Sequence, residues 1–140
     1  MTLKIRQIPA EGIAYEAEAL PAAIDLVEDF VDPDKPVIVK GTLQRVDDFI
    51  LARLDVTYTM DMICARCLDT VNRPVPVALE FDISFDPGDE FIDIGMKVRE
   101  ELLIIQPVRV LCKEDCQGIC PDCGAYLNEE SCECRKRIKE

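Results

Sequence analysis

The sequence predicts an α+β protein: an antiparallel β-meander, or partly closed sheet, covered by one helix in its C-terminal half and followed by a small cysteine-rich module. Three observations carry this. Apolar residues recur at every second position over much of Val37 to Phe85, one helical stretch follows at about 93–106, and six of the eight cysteines fall between residues 112 and 134. The body would occupy residues 1–111, and the module with a basic tail residues 112–140.

The elements follow in order. TLKIRQI reads as a short first strand, with Leu3 and Ile5 on one face. PAAIDLVEDF, residues 21–30, reads as a helix: Pro21 suits a first helical position, and Ile24, Val27 and Phe30 recur at about helical spacing. VDPDKP is a loop. From Val37 the period becomes two. VIVKGTLQRV (37–46) is a strand, Asp47-Asp48 a turn, and FILARLDVTYTM (49–60) a strand with Ile50, Ala52, Leu54, Val56, Tyr58 and Met60 on one face. After CARCL, a hairpin tip, PVPVALEFDISF (74–85) puts Val75, Val77, Leu79, Phe81, Ile83 and Phe85 on one side. Alternation with one polar face describes an antiparallel sheet covered on a single side. DPGDEF is a loop rich in turn formers. In DIGMKVREELLIIQP, Asp93 suits an N-cap, Ile94, Val98, Leu102 and Ile105 form an apolar stripe, and Pro107 ends the helix that would cover the sheet. RKRIK, residues 135–139, is a basic tail expected to fray.

Composition narrows the class. A chain of 140 residues that is 49% hydrophobic can build a core. With 16 basic and 28 acidic residues its formal net charge is −12, which favours basic partners over phosphate backbones, although a solvated acidic face is the plainer meaning. The first 23 residues contain no apolar stretch of signal-peptide length, and the longest aliphatic run noted, LLII at 102–105, is far short of the roughly 20 residues of a membrane span. The expected setting is a reducing cytoplasm, where clustered cysteines more often hold metal than form disulfides.

The cysteines carry the chemistry. CPDCG places Cys120 and Cys123 two residues apart in a tight turn, and CARC repeats that spacing at Cys64 and Cys67. Such turns aim two thiolates at one tetrahedral ion, with zinc–sulfur bonds of about 2.3 Å. Cys112 with Cys116, and Cys132 with Cys134, complete four pairs, and no histidine exists to make a mixed site. Reach favours Cys120, Cys123, Cys132 and Cys134 closing one site across the eight residues 124–131, which leaves Cys112 and Cys116 to meet Cys64 and Cys67. An extended Cys-x-Cys sends its side chains to opposite faces, so a mixed arrangement, or one site with spare thiols, stays open. One or two structural zinc ions are therefore expected. Residues 112–134 offer little apolar material beyond Ile119, Tyr126 and Leu127. Backbone ordering costs about 1–2 kcal/mol per residue, whereas a structural zinc contributes on the order of 10–16 kcal/mol.

Three other readings compete. A disulfide framework needs an oxidising compartment. A thioredoxin-like CPxC needs a βαβ frame with the motif at a helix N-terminus, and an iron–sulfur cluster also takes four cysteines. No catalytic constellation emerges: without histidine, acid–base work would fall to carboxylates or lysine, and Glu100-Glu101 is more simply a solvated face. A closed Cys₄ zinc keeps no open position and is structural. The chain is accordingly expected not to be an enzyme and to take no small-molecule substrate.

CARCL after a β-meander, followed by EELLIIQPVRVLCKEDCQGICPDCGAYLNEESCEC, resembles the YceD family of large ribosomal RNA subunit accumulation proteins, in its cysteine-rich branch. The likeness runs from roughly Val37 to Cys134, through CxRCL, EELLxxxPxxxLC and CxGxCPxCGxxLN. It implies a bacterial or organellar protein, cytoplasmic, needed for normal levels of large-subunit (23S) ribosomal RNA. The expected partner is a basic large-subunit ribosomal protein or a pre-ribosomal particle, with no membrane. Direct ribosomal RNA contact would use Arg66, Arg73, Arg109 and the RKRIK tail. The alternative function is a thiol oxidoreductase, or a redox or metal sensor.

Overall fold

The computed structural model describes residues 1–134, so the RKRIK tail lies outside the described residues. The fold class is the expected one: among the described residues, antiparallel strands with α1 (Ile94–Ile104) as the one named α-helix, and a cysteine-rich C-terminal region. The chain divides into two compact units. One comprises Met1–Met60 with Arg73–Gln106, the other Asp61–Asn72 with the chain from Pro107. Against a boundary placed after residue 111, the CARC loop and residues 107–111 group with the other cysteines.

In the first unit, β1 (Thr2–Lys4) is followed by a 3₁₀ turn at Ile5–Gln7, so the strand over TLKIRQI keeps only its first part. β2 (Ile13–Ala19) is an element the periodicity did not call. Its alternation is real, Tyr15, Ala17 and Ala19 half-buried against exposed Glu16 and Glu18, but alanine and glutamate favour helices and mask it. Pairing with β3 (Val37–Val46) sets Glu16 opposite Lys40, a 3.4 Å ion pair at the sheet edge.

The expected helix over 21–30 does not form. Only a 3₁₀ turn at Pro21–Ile24 exists, closed by Asp25 in the left-handed region at φ 57°. Leu26 and Phe30 are buried but Val27 is 74% exposed, so the three-residue spacing was not a helix face.

β3 and β4 (Phe49–Ile63) form the antiparallel hairpin expected, from Ile38↔Thr57 to Val46↔Phe49, around the Asp47-Asp48 turn. Asp47 sits at φ 50°, a conformation aspartate tolerates better than most residues. Ile50, Ala52, Leu54, Val56, Tyr58 and Met60 are all buried, and with Val37, Val39 and Leu43 they build the core. Gly41 interrupts this β3 series because an added Cβ would lie 2.0 Å from the Arg53 carbonyl oxygen. β5 (Thr70–Ser84) completes the sheet order β2-β3-β4-β5. Leu79 and Phe81 are buried on its apolar face.

Inside the predicted DPGDEF loop and just after it, Phe91–Asp93 forms β6, which pairs antiparallel with β1. Strands of three residues leave too little period to read. α1 (Ile94–Ile104) then starts where the N-cap was expected: the Asp93 carboxylate accepts a 3.1 Å hydrogen bond from the Met96 N–H. Ile94, Val98 and Leu102 are buried, whereas Ile105 lies beyond the helix and is exposed. The helix packs on β1 and on the Pro21–Ile24 turn, whose Ile24 approaches Gly95 too closely for a side chain there.

Candidate metal centre

The second unit buries little apart from sulfur. Among the described residues its buried side chains are Cys64, Cys67, Cys116 and Cys120, with Val71 and Val110. What it builds instead is a pair of turns with one design. In the CARC turn the Cys64 N–H donates to the Asp69 carbonyl (2.8 Å), and the Leu68 N–H donates back to the Cys64 carbonyl (3.0 Å). In the CPDC turn the Cys120 N–H donates to Ala125 (2.9 Å), and the Gly124 N–H donates to Cys120 (2.9 Å). Each turn needs a left-handed residue just after its second cysteine: Gly124 at φ 76°, and Leu68 at φ 65°. Glycine adopts that conformation freely, while leucine does so at a steric cost.

These turns, with the two other cysteine pairs, gather the thiols into two quartets. Cys64, Cys67, Cys112 and Cys116 have all their Sγ atoms within 4.8 Å of one another, and so do Cys120, Cys123, Cys132 and Cys134. The partition is the one reach favours, with no spare thiol. Cys132 and Cys134 share a quartet because a bend at Glu133 breaks the extended geometry that would have separated them. The Cys64–Cys116 and Cys67–Cys112 sulfur separations are 3.7 and 3.6 Å. A disulfide would need about 2.05 Å, whereas a tetrahedron with zinc–sulfur bonds near 2.3 Å has edges of roughly 3.8 Å. The donor set and the spacing both fit a thiophilic divalent cation. The first quartet is the more enclosed, with Cys64, Cys67 and Cys116 buried, while Cys123 of the second is exposed.

Electrostatics point the same way. The backbone N–H groups of Cys67 and Arg66 hold the Cys64 thiol down to about 6. Those of Cys123 and Asp122 hold Cys120 down to about 7. Burial, then the neighbouring thiols of its quartet, push Cys112 up to about 12, and the Cys123 thiol and burial do the same to Cys134. Each quartet is thus primed to ionise in part, while its last protons leave only when a cation offsets the crowded negative charge.

Several supporting residues were not singled out by sequence reasoning. Asn128, which ends the CxGxCPxCGxxLN motif, donates through Nδ2 to Cys116 Sγ (3.4 Å) and accepts through Oδ1 from the Gln117 N–H (2.9 Å). That amide lowers the Cys116 thiol. Tyr126 donates its hydroxyl to Asp69, just beyond CARCL, and the carboxylate raises the phenol. Gly118, at φ 79°, lets the chain pass the Arg66 carbonyl, which an added Cβ would meet at 3.1 Å. Arg66, a candidate RNA contact, donates Nη1 to the Cys116 carbonyl (3.0 Å). Arg109 and Arg73 are exposed.

Residues 79–140 match the family model described as large ribosomal RNA subunit accumulation protein YceD, a segment that begins after the CARC turn. An uncharacterized protein of Mycobacterium tuberculosis is 34% identical over 82 residues, covering 48% of this chain and 40% of that protein. The chloroplastic YCED homolog 1 of Arabidopsis thaliana, named a large ribosomal RNA subunit accumulation protein, is 31% identical over 61 residues, 44% of this chain and 19% of its own length. Its namesake from Zea mays is 34% identical over 56 residues, 39% and 19%. The chain therefore spans less than half the length of these curated relatives. No solved structure matches it.

Proposed function

We propose that this chain, whose residues 79–140 match the family model of the YceD large ribosomal RNA subunit accumulation proteins, is a member of that family and supports the accumulation of large-subunit (23S) ribosomal RNA as a non-enzymatic assembly factor. The observation that carries the reading is the division of all eight thiols into two quartets able to hold a metal ion, with six of the eight inside the segment that matches the family model. Zinc held by four thiolates has no open position for a substrate or a water, so the ions would shape a surface and do no chemistry. The chain's own groups do the holding: backbone N–H groups stabilise the Cys64 and Cys120 thiolates, and the Asn128 amide supports Cys116.

The partner follows from charge. A formal charge of −12 becomes about −16 once two Cys₄ zinc sites, each net −2, are counted. Such a surface gains nothing from phosphates, whereas a free ribosomal protein awaiting assembly is strongly basic and is drawn to it at long range. The proposed partner is therefore a basic large-subunit ribosomal protein, alone or on a precursor particle, met in the cytoplasm. No helix among the described residues is long and apolar enough to cross a membrane. A thiol oxidoreductase gains no comparable support, because CPDC occupies a hairpin turn and every thiol sits in a quartet.

Calorimetry against purified basic large-subunit proteins, beside filter binding to bare 23S ribosomal RNA, tests the reading. The expected result is tighter binding to a protein, weakening as salt rises. Tight, sequence-selective RNA binding that survives high salt, with no affinity for a ribosomal protein, would contradict it.

A further inference from the structure

The hairpin that carries the second quartet also reaches the first. Ile119 and Tyr126 pair as an isolated antiparallel bridge, and the Leu127 N–H donates to the Gly118 carbonyl (2.9 Å), so the segment after CPDC folds back on the segment before it. That return sets Asn128 beside Cys116. The Gln117 N–H can only donate, so it fixes which end of the amide is oxygen, and the NH₂ group must then face the Cys116 sulfur. The same hairpin puts the Tyr126 hydroxyl on Asp69, next to the CARC turn. Contacts to the first quartet's surroundings thus depend on a fold-back that the second quartet closes.

We propose that Asn128 is a positioning residue that couples the two metal sites: closing the second quartet on its ion delivers the Asn128 amide to Cys116 and so raises the metal affinity of the first quartet. The chemistry is hydrogen bonding from a neutral donor to a metal-bound thiolate. It reduces the charge density on sulfur and fixes the Cys116 side chain in its binding rotamer. Outer-shell partners of this kind typically change metal affinity about 10–100-fold. Linkage makes the effect reciprocal, so each ion favours the other and the chain fills in pairs. The inference rests on reading both quartets as metal sites.

The test uses the full-length reduced chain, zinc as probe, native mass spectrometry to count ions, and alkylation mapping to identify which quartet is filled. At one equivalent of zinc the wild-type chain should populate mainly the empty and two-ion forms. Asn128→Asp keeps an oxygen for the Gln117 N–H but presents a carboxylate to Cys116. It should weaken the first quartet about tenfold or more, leave unchanged only the second quartet's affinity in chains whose first quartet is empty, and make the one-ion form prominent. Cys120→Ser with Cys123→Ser should weaken the first quartet at least as much, and adding Asn128→Asp in that background should change it little further. Asn128→Asp indistinguishable from wild type would overturn the coupling, as would two ions that bind independently. A wild-type chain that retains no zinc would overturn both the coupling and the metal-site reading on which it rests.

Discussion

The two units of this chain stay folded by different means. The first buries a continuous set of aliphatic side chains: Val37, Val39, Leu43, Ile50, Val56, Ile94, Val98 and Leu102 are all at most 1% exposed or fully enclosed. The second, among its described residues, buries four cysteines and two valines, and spends backbone hydrogen bonds on turns around sulfur. Burial stabilises the first by about 25 cal/mol per Å² of apolar surface, whatever the solution holds. The second has too little such surface, but it has two thiol quartets that could hold metal ions; with ions bound there, its stability would be set by ligand binding and would answer to metal, protons and oxidants. A loss of metal should therefore damage one unit and spare the other.

Removing the metal is the most severe way to separate them. A strong chelator, or Cys120→Ser with Cys123→Ser, should withdraw on the order of 10 kcal/mol of binding free energy per site and open the chain beyond about residue 107 to protease. The β-sheet signal in circular dichroism and the protection of Met1–Met60 should persist. Loss of both units at one temperature would mean that they fold as one cooperative body.

The converse perturbation is Leu102→Ala, which leaves a cavity where a side chain 1% exposed now sits in the first unit. Urea unfolding should show a loss of about 2–5 kcal/mol with zinc stoichiometry unchanged. A fall in bound zinc would break the comparison.

Acid distinguishes the units more gently. The Cys64 and Cys120 thiols, at about 6 and about 7, titrate below the ordinary thiol range, so folding favours their ionised forms. The sign follows: their contribution is complete above the ordinary thiol range and is lost as pH falls through about 7 to 6. Protons also compete with metal for the same sulfurs. Apparent zinc affinity, measured between pH 8 and pH 5, should fall steeply, while the first unit's unfolding midpoint moves little.

The smallest effect compares the two turns with each other. Gly124→Ala forces a Cβ into the left-handed region that glycine occupies at φ 76°, and should cost about 1–2 kcal/mol at the second quartet. Leu68→Gly, at φ 65°, relieves that strain but frees the unfolded chain, so the net change should be within about 1 kcal/mol. Competition with a zinc chelator measures both.

What was legible in the sequence divides along the same line. The long strands were readable because each keeps one face apolar, as the buried positions of β4 confirm residue by residue. The α1 start was readable because Asp93 followed by an apolar stripe is a local signal. β2 and β6 were not, since one is written in alanine and glutamate and the other is three residues long; both are strands through their partners. The helix over 21–30 was misread because Asp25 turns left-handed, which no three-residue spacing announces. Cysteine spacing announced the paired turns, but Asn128, Tyr126 and Asp69 were silent. Their role exists only once the hairpin folds back.

The most direct measurement is the metal content and thiol state of the same molecule. Protein purified without added metal, under anaerobic conditions, would be weighed intact by native mass spectrometry and then alkylated before and after chelation. Two zinc ions per chain, with all eight cysteines reduced, protected before chelation and reactive after it, is the expected result. A folded chain that carries no metal and joins its eight cysteines in disulfides would contradict the two-site arrangement at its root.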